Sequence, residues 1–163
     1  MIRLVVALAP LVFLYGQSGP SQSAEPKFSR LSPDDEGRLE RQRAVIAAAA
    51  SRYGLAKLSR TKSDLPVLQK LIDERAFRSS QTYELQCLGV AFGDVLSSEF
   101  PLQWEMVTDE YGTDPTLRFK KTTLHFNALT MISKRIERNE RIDLSELLHT
   151  TRQQLTHIDQ NVH

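Results

Sequence analysis

The hydrophobic pattern of the chain changes its period at Leu102, and this change limits the fold more than any other feature. Apolar and polar residues alternate from Leu102 to Val107, which is typical of a half-buried strand. A turn containing Gly and Pro follows at residues 109–115, and two shorter alternating segments cover 116–121 and 123–126. Three consecutive strands joined by short turns predict an antiparallel meander.

Segments with helical spacing of apolar residues stand on both sides of this meander. Their predicted starts are Ser32, Asp64, Gln81, Asn127 and Asp143. Ser, Asp and Asn at such positions can cap the free N–H groups of a first helical turn. The predicted fold is therefore α+β, with a small three-stranded antiparallel meander packed against about five helices.

Two glycines lie four residues apart in the third predicted helix. Gly89 and Gly93 share one helix face, and each costs a helix about 1 kcal/mol relative to alanine. We expect another backbone to pack closely against this face. A ligand pressed against the glycines is the alternative.

The N-terminal residues have the layout of a secretory signal peptide. One positive charge precedes an apolar run over Leu4–Tyr15, and small polar residues lead to Ala24. A helix over this run would measure only ~18 Å, short of the ~30 Å hydrocarbon core. We therefore predict a signal peptide over 1–24, a flexible tether over 25–31 and a single α+β domain over 32–163. The protein is expected to be exported to the periplasm without a stable membrane span; an uncleaved N-terminal anchor is the alternative.

The charge balance and the cysteine content exclude several classes of function. Lys and Arg total 21 against 20 Asp and Glu, so the formal net charge is +1, too small to attract nucleic acid. A single cysteine, Cys87, excludes an intramolecular disulfide, a CxxC redox pair and a zinc site built from cysteines. Cys87 lies in an apolar helical stretch, so we expect it to be buried in the core.

Four segments of the chain carry a family resemblance. They are Leu88–Asp94, Trp104 with Val107, Asp109–Gly112 and Leu129–Glu137. Together they resemble the bacterial family of a domain of unknown function, DUF3806, roughly from Leu65 to Leu155. The resemblance implies a small bacterial α+β domain, often exported, with no assigned reaction and no catalytic residue to transfer. Asn139-Glu140 stands where such relatives are expected to have a Gly-Glu turn.

Four carboxylates gather around the first predicted hairpin. Glu105, Asp109, Glu110 and Asp114 fall within ten residues, and oxygen ligands of this kind can hold a hard cation. However, their spacing lacks the alternating pattern of a calcium loop. We therefore expect no metal and no cofactor.

A hydrolytic enzyme of the cell envelope is the alternative function. Its candidate residues are Glu105, Asp109 and His125. Glu105 and Asp109 would lie about 13 Å apart along a strand, which exceeds the separation that glycoside hydrolysis requires. No nucleophile elbow, SxxK or HExxH motif is present.

The leading hypothesis is an exported, non-enzymatic domain that binds a protein partner through the polar face of the meander and the helix that follows. The candidate residues are Glu105, Val107, Arg118, Lys120 and His125 on the sheet, and Lys134 and Arg135 on the helix. Such a face suits a protein better than a small substrate. An inhibitor or immunity role is one form of this hypothesis. A plain solvated surface is the alternative, and the oligomeric state stays open.

Overall fold

The computed structural model describes residues 25–161. It contains five α-helices and four strands within those residues. The helices are α1 (Pro33–Arg52), α2 (Leu65–Asp73), α3 (Thr82–Glu99), α4 (Ala128–Glu137) and α5 (Leu144–Asn161). The strands are β1 (Lys27–Ser29), β2 (Leu102–Asp109), β3 (Gly112–Phe119) and β4 (His125–Phe126). The predicted α+β class and five helices are confirmed.

The predicted signal peptide lies outside the described residues. Across residues 25–161, no helix combines the length and the apolar character needed to cross a bilayer.

Helix α1 begins where the sequence predicts. The backbone N–H of Asp35 donates to Ser32 Oγ at 3.2 Å, and the Ser32 N–H donates to the Asp35 carboxylate at 3.0 Å. These reciprocal bonds form a capping box, and the hydrogen bonds from Ser32 lower the pKa of Asp35. The helix ends just before Gly54, whose φ of 65° is the left-handed conformation that glycine adopts cheaply.

Helix α3 is the centre of the molecule. It packs against α1, α2, α4 and β2, and every residue from Cys87 to Leu96 is buried. A helix that is apolar on all sides belongs inside a core. The expected burial of Cys87 is confirmed, and that burial raises the pKa of its thiol to about 11.

The glycine face of α3 packs tightly against its neighbours. A Cβ on Gly89 would overlap the carbonyl oxygen of Ala128 and lie 2.7 Å from that of Leu129. A Cβ on Gly93 would lie 2.5 Å from the Trp104 ring. The predicted close approach of a second backbone is confirmed at Gly89, where the first turn of α4 packs against the helix; at Gly93 the nearest atoms belong to the side chains of Trp104 and Ala128.

The sheet has four antiparallel strands in the order β1-β2-β3-β4, rather than the three expected. The additional strand, β1, comes from residues 25–31, which the sequence analysis assigned to a flexible tether. Three residues are too few to show the alternation of apolar and polar residues that marks a strand. They nevertheless pair with the free edge of β2, where Phe28 lies opposite Val107. β4 is shorter than predicted because a tight turn occupies residues 120–124, with Lys120 at φ 51°.

The two faces of the sheet have different surroundings. Leu102, Met106, Leu117 and Phe119 point to one face and are buried. The predicted partner-binding residues of the strands, which are Glu105, Val107, Arg118 and His125, point to the opposite face.

Candidate functional site

The polar face of the sheet is occupied by a cluster of the protein's own side chains. We call Phe28, Glu105, Arg118 and His125 the Arg118 cluster. The Arg118 guanidinium lies 4.1 Å from the centroid of the Phe28 ring and bonds to Glu105 at 3.1 Å. The His125 ring meets the edge of Phe28 at 5.3 Å between centroids. Strand β1 therefore supplies the residue that covers the middle of this face.

Arg118 also donates hydrogen bonds to the turn between β3 and β4. Its Nε donates to the Thr122 carbonyl at 2.6 Å and its Nη2 to the Lys121 carbonyl at 3.0 Å. The side chains of Arg118 and Glu105 are only 19% and 18% exposed. Because these N–H groups already donate hydrogen bonds within the protein, a partner could bind Arg118 only by breaking those bonds and forming new ones.

The other predicted partner-binding residues are dispersed. Val107, expected on an exposed face, is only 3% exposed; that expectation was wrong because β1 adds a strand beside it. Lys120 lies in the turn after β3, with its Nζ 4.9 Å from the Phe119 ring centroid. Arg135 donates to the Met131 carbonyl on its own helix at 2.6 Å. Lys134 is exposed and faces a different surface.

That surface is a groove at the free end of the β2–β3 hairpin, which we call the hairpin groove. Its volume is about 410 Å³. It is lined by Arg38 of α1, Gln86 of α3, Val107, Asp109, Tyr111, Gly112, Asp114 and Pro115 of the hairpin, and Asn127, Leu129, Thr130 and Lys134 around α4. Four separate parts of the chain thus meet here, including two predicted partner-binding residues, Val107 and Lys134.

The groove has charges of both signs and one prominent aromatic residue. Arg38 lies 3.9 Å from Asp114, and both side chains are well exposed. Tyr111 at the hairpin tip is 88% exposed. A hydrogen bond with Glu110, together with the charge of that carboxylate, raises the pKa of Tyr111, and a phenol is neutral at physiological pH even at its ordinary pKa of about 10. The tip therefore presents a neutral aromatic ring beside carboxylates.

The three residues of the hydrolase alternative occupy two different places. Glu105 and His125 belong to the Arg118 cluster, whereas Asp109 lines the hairpin groove. Asp109 accepts the backbone N–H of Tyr111 at 2.8 Å and so shapes the turn. Over the described part of the chain, no group of three His, Cys, Asp or Glu side chains is placed to hold a metal ion.

A buried ion pair was missed by the sequence analysis. Asp94 is 7% exposed and accepts two bonds from Arg43, from Nε and Nη2, each at 2.7 Å. It also accepts the indole N–H of Trp104 at 3.0 Å. The available signal was a charged residue inside the apolar stretch of α3, which requires a buried partner. Arg43 could not be identified as that partner because it lies 51 residues away.

Comparison with known sequences identifies a family for this chain. The profile of a domain of unknown function, DUF3806, matches residues 64–147, slightly more than half of the chain. The chain belongs to the DUF3806 family. The matched region of this DUF3806 protein runs from the start of α2 to the start of α5, and so includes α3, the β2–β3 hairpin and α4. Strand β1 and helix α1 lie outside it.

A solved structure shares the fold. A protein from Bacteroides thetaiotaomicron VPI-5482, with a crystal structure at 1.50 Å, superposes with a TM-score of 0.71 at 10% sequence identity. The similarity covers 82% of this chain and 49% of that protein, so the chain spans about half the length of its structural relative. No curated protein matches the sequence.

Proposed function

We propose that this DUF3806 protein is an exported, non-enzymatic domain that binds a protein partner in the hairpin groove, rather than on the middle of the sheet face. The observation that carries the proposal is the exposure of Tyr111, 88% at the rim of a groove built from four parts of the chain. Tyrosines at the centre of protein interfaces contribute large contact area at low entropic cost.

The charges around Tyr111 indicate the kind of partner. Asp109 and Asp114 line the same groove as Tyr111, and Glu110 is hydrogen-bonded to it; an aromatic ring near carboxylates attracts a guanidinium through cation–π and ionic contacts together. Lys134 on the opposite wall suits an acidic neighbour. We infer a partner loop that presents an arginine to the hairpin tip and a carboxylate to α4. An inhibitor or immunity role is one physiological form of such binding.

Binding is favoured over hydrolysis by the placement of the polar residues. A hydrolase would need Glu105, Asp109 and His125 around one reacting centre. The first and third are instead engaged with Arg118 and Phe28, and Asp109 shapes the hairpin turn.

Site-specific photo-crosslinking in the cells that produce the protein tests this proposal. A photoreactive phenylalanine analogue would replace Tyr111 in the full chain, with Tyr53 as the matched control, since Tyr53 is also exposed, at 44%, and lies at the end of α1. We expect one defined adduct from position 111 and none from position 53.

The captured protein must then bind the purified domain. Loss of a central aromatic residue typically costs about 2 kcal/mol or more, so Tyr111→Ala should weaken binding about 30-fold, and Tyr53→Ala should leave it unchanged. Equal adducts at both positions, no adduct at position 111, or equal affinities of the two alanine variants would each overturn the proposal.

A further inference from the structure

A second groove lies away from the hairpin, where the α2–α3 connection meets the α4–α5 connection. We call it the arginine groove. Its volume is about 610 Å³, within the range of small-molecule binding sites. No residue lines both this groove and the hairpin groove, so the two surfaces are separate. Three of the residues that line the arginine groove are arginines: Arg75 and Arg78 from the α2–α3 connection, and Arg141 from the α4–α5 connection.

The floor of the arginine groove is apolar. Phe77 and Ile142 are each 7% exposed, and Ile72 and Ile136 are half-buried. These side chains cover the core beneath α3 and leave a strip of hydrocarbon surface at the base of the groove. A bound molecule with an apolar body would remove this strip from water.

The three arginines at the rim of the groove are not neutralised by ion pairs within the part of the chain that the structure describes. Arg75, Arg78 and Arg141 are exposed, and none of them makes an ion pair with another side chain in residues 25–161. Glu140 is the one carboxylate of the lining, and its ion pair is with Arg138, at 3.7 Å. Three guanidinium groups above an apolar floor match an anion attached to a hydrocarbon body.

From this arrangement we propose that the arginine groove binds a carboxylate with an unbranched hydrocarbon tail, of the size of a medium-chain fatty acid. The carboxylate contacts the guanidinium groups of the rim, and the tail lies along Phe77, Ile136 and Ile142. This site is independent of the partner-binding proposal, because no residue of the hairpin groove takes part.

Isothermal titration calorimetry with three probes tests the chemistry of the ligand. Dodecanoate, used below its micellar concentration, should bind the full chain in the micromolar range. Acetate has the same head group without the tail, and dodecyltrimethylammonium has the same tail with the opposite charge; both should bind at least tenfold more weakly. Equal binding of the cationic amphiphile, or no binding of dodecanoate, would overturn the proposal.

Charge removal tests the location. The double variant Arg78→Gln, Arg141→Gln should bind dodecanoate at least about tenfold more weakly, since it removes two of the three guanidinium groups that contact the carboxylate. The matched control is Arg30→Gln, Arg52→Gln, which removes the same charge from two exposed positions elsewhere and should bind normally. All four positions are exposed, so circular dichroism should show both variants folded. Equal weakening in both would show a non-local charge effect and refute the assignment.

Discussion

Replacing Gly89 by alanine tests whether the contact between α3 and α4 holds the domain together. In an ordinary helix this substitution stabilises, because alanine is favoured over glycine by about 1 kcal/mol. Here the added Cβ would overlap the carbonyl oxygen of Ala128 and lie 2.7 Å from that of Leu129. Both obstacles are backbone atoms, which cannot rotate away as a side chain can.

The expected cost follows from these distances. The first turn of α4 must move away from α3, and overpacking of this kind costs about 1–3 kcal/mol or more. Since the overlap is with backbone, we take the upper end and subtract the helix-propensity gain, which leaves a net loss of about 2 kcal/mol. In a domain of this size that corresponds to a fall in melting temperature of about 4–8 °C.

Gly37 provides the matched control. It lies inside α1, and a Cβ there would meet the end of the flexible Arg41 side chain, at 3.4 Å. Gly37→Ala should therefore stabilise by about 0.5–1 kcal/mol, the opposite sign for the same chemical change. Urea titrations followed by the fluorescence of Trp104, the single tryptophan, measure both. If Gly89→Ala proved as stable as the wild type, the tight α3–α4 contact would be refuted.

Two further predictions concern buried polar groups. Asp94→Ala leaves Arg43 and the Trp104 indole without their shared acceptor and should lower the free energy of unfolding by about 3 kcal/mol. Glu40→Gln removes the exposed partner that Arg43 shares with Arg60 and should cost under about 1 kcal/mol; similar losses in urea titrations would contradict the assignment. Burial raises the pKa of the Cys87 thiol from 9.0 to about 11, so the thiol should resist Ellman's reagent at pH 8 until the chain unfolds. Because the folded state holds this proton more tightly, its contribution to stability is complete below pH 9 and declines between pH 9 and 11, by about 2–3 kcal/mol at most; a Cys87→Ala variant with the same decline would disprove this origin.

Much of the helical framework could be predicted because its signals are local. The Ser32 cap, the Gly54 stop and the Asp143 cap each act on backbone groups within a few residues. Asn139 shows the same point: the family resemblance favours glycine there, yet Asn139 has a φ of 56°. Asparagine tolerates the left-handed conformation better than most residues, so it can occupy this turn position in place of a glycine.

The candidate sites were harder to predict because they depend on segments distant in sequence. Val107 has the right alternation for an exposed residue, but the pairing of β1 with β2 buries it. Arg118 has the composition of a docking residue, but Phe28 covers its guanidinium. In both cases the burial is caused by strand β1, which is distant in sequence from Val107 and Arg118.

The sequence by itself determined the helices, the presence of the β2–β3 hairpin and the need for a close neighbour along the Gly89 face, since periodicity, capping and glycine spacing act over a few residues. It did not determine the extent of the hairpin: β3 begins at Gly112 and pairs Pro115 with Met106, within the residues predicted as a turn over 109–115. Only the tertiary structure decided that a three-residue segment completes the sheet, that Arg43 pairs with Asp94, and that two grooves open between separate elements. The physical reason is that burial and ion pairing depend on which surfaces meet after the chain folds, and those surfaces come from residues far apart along it.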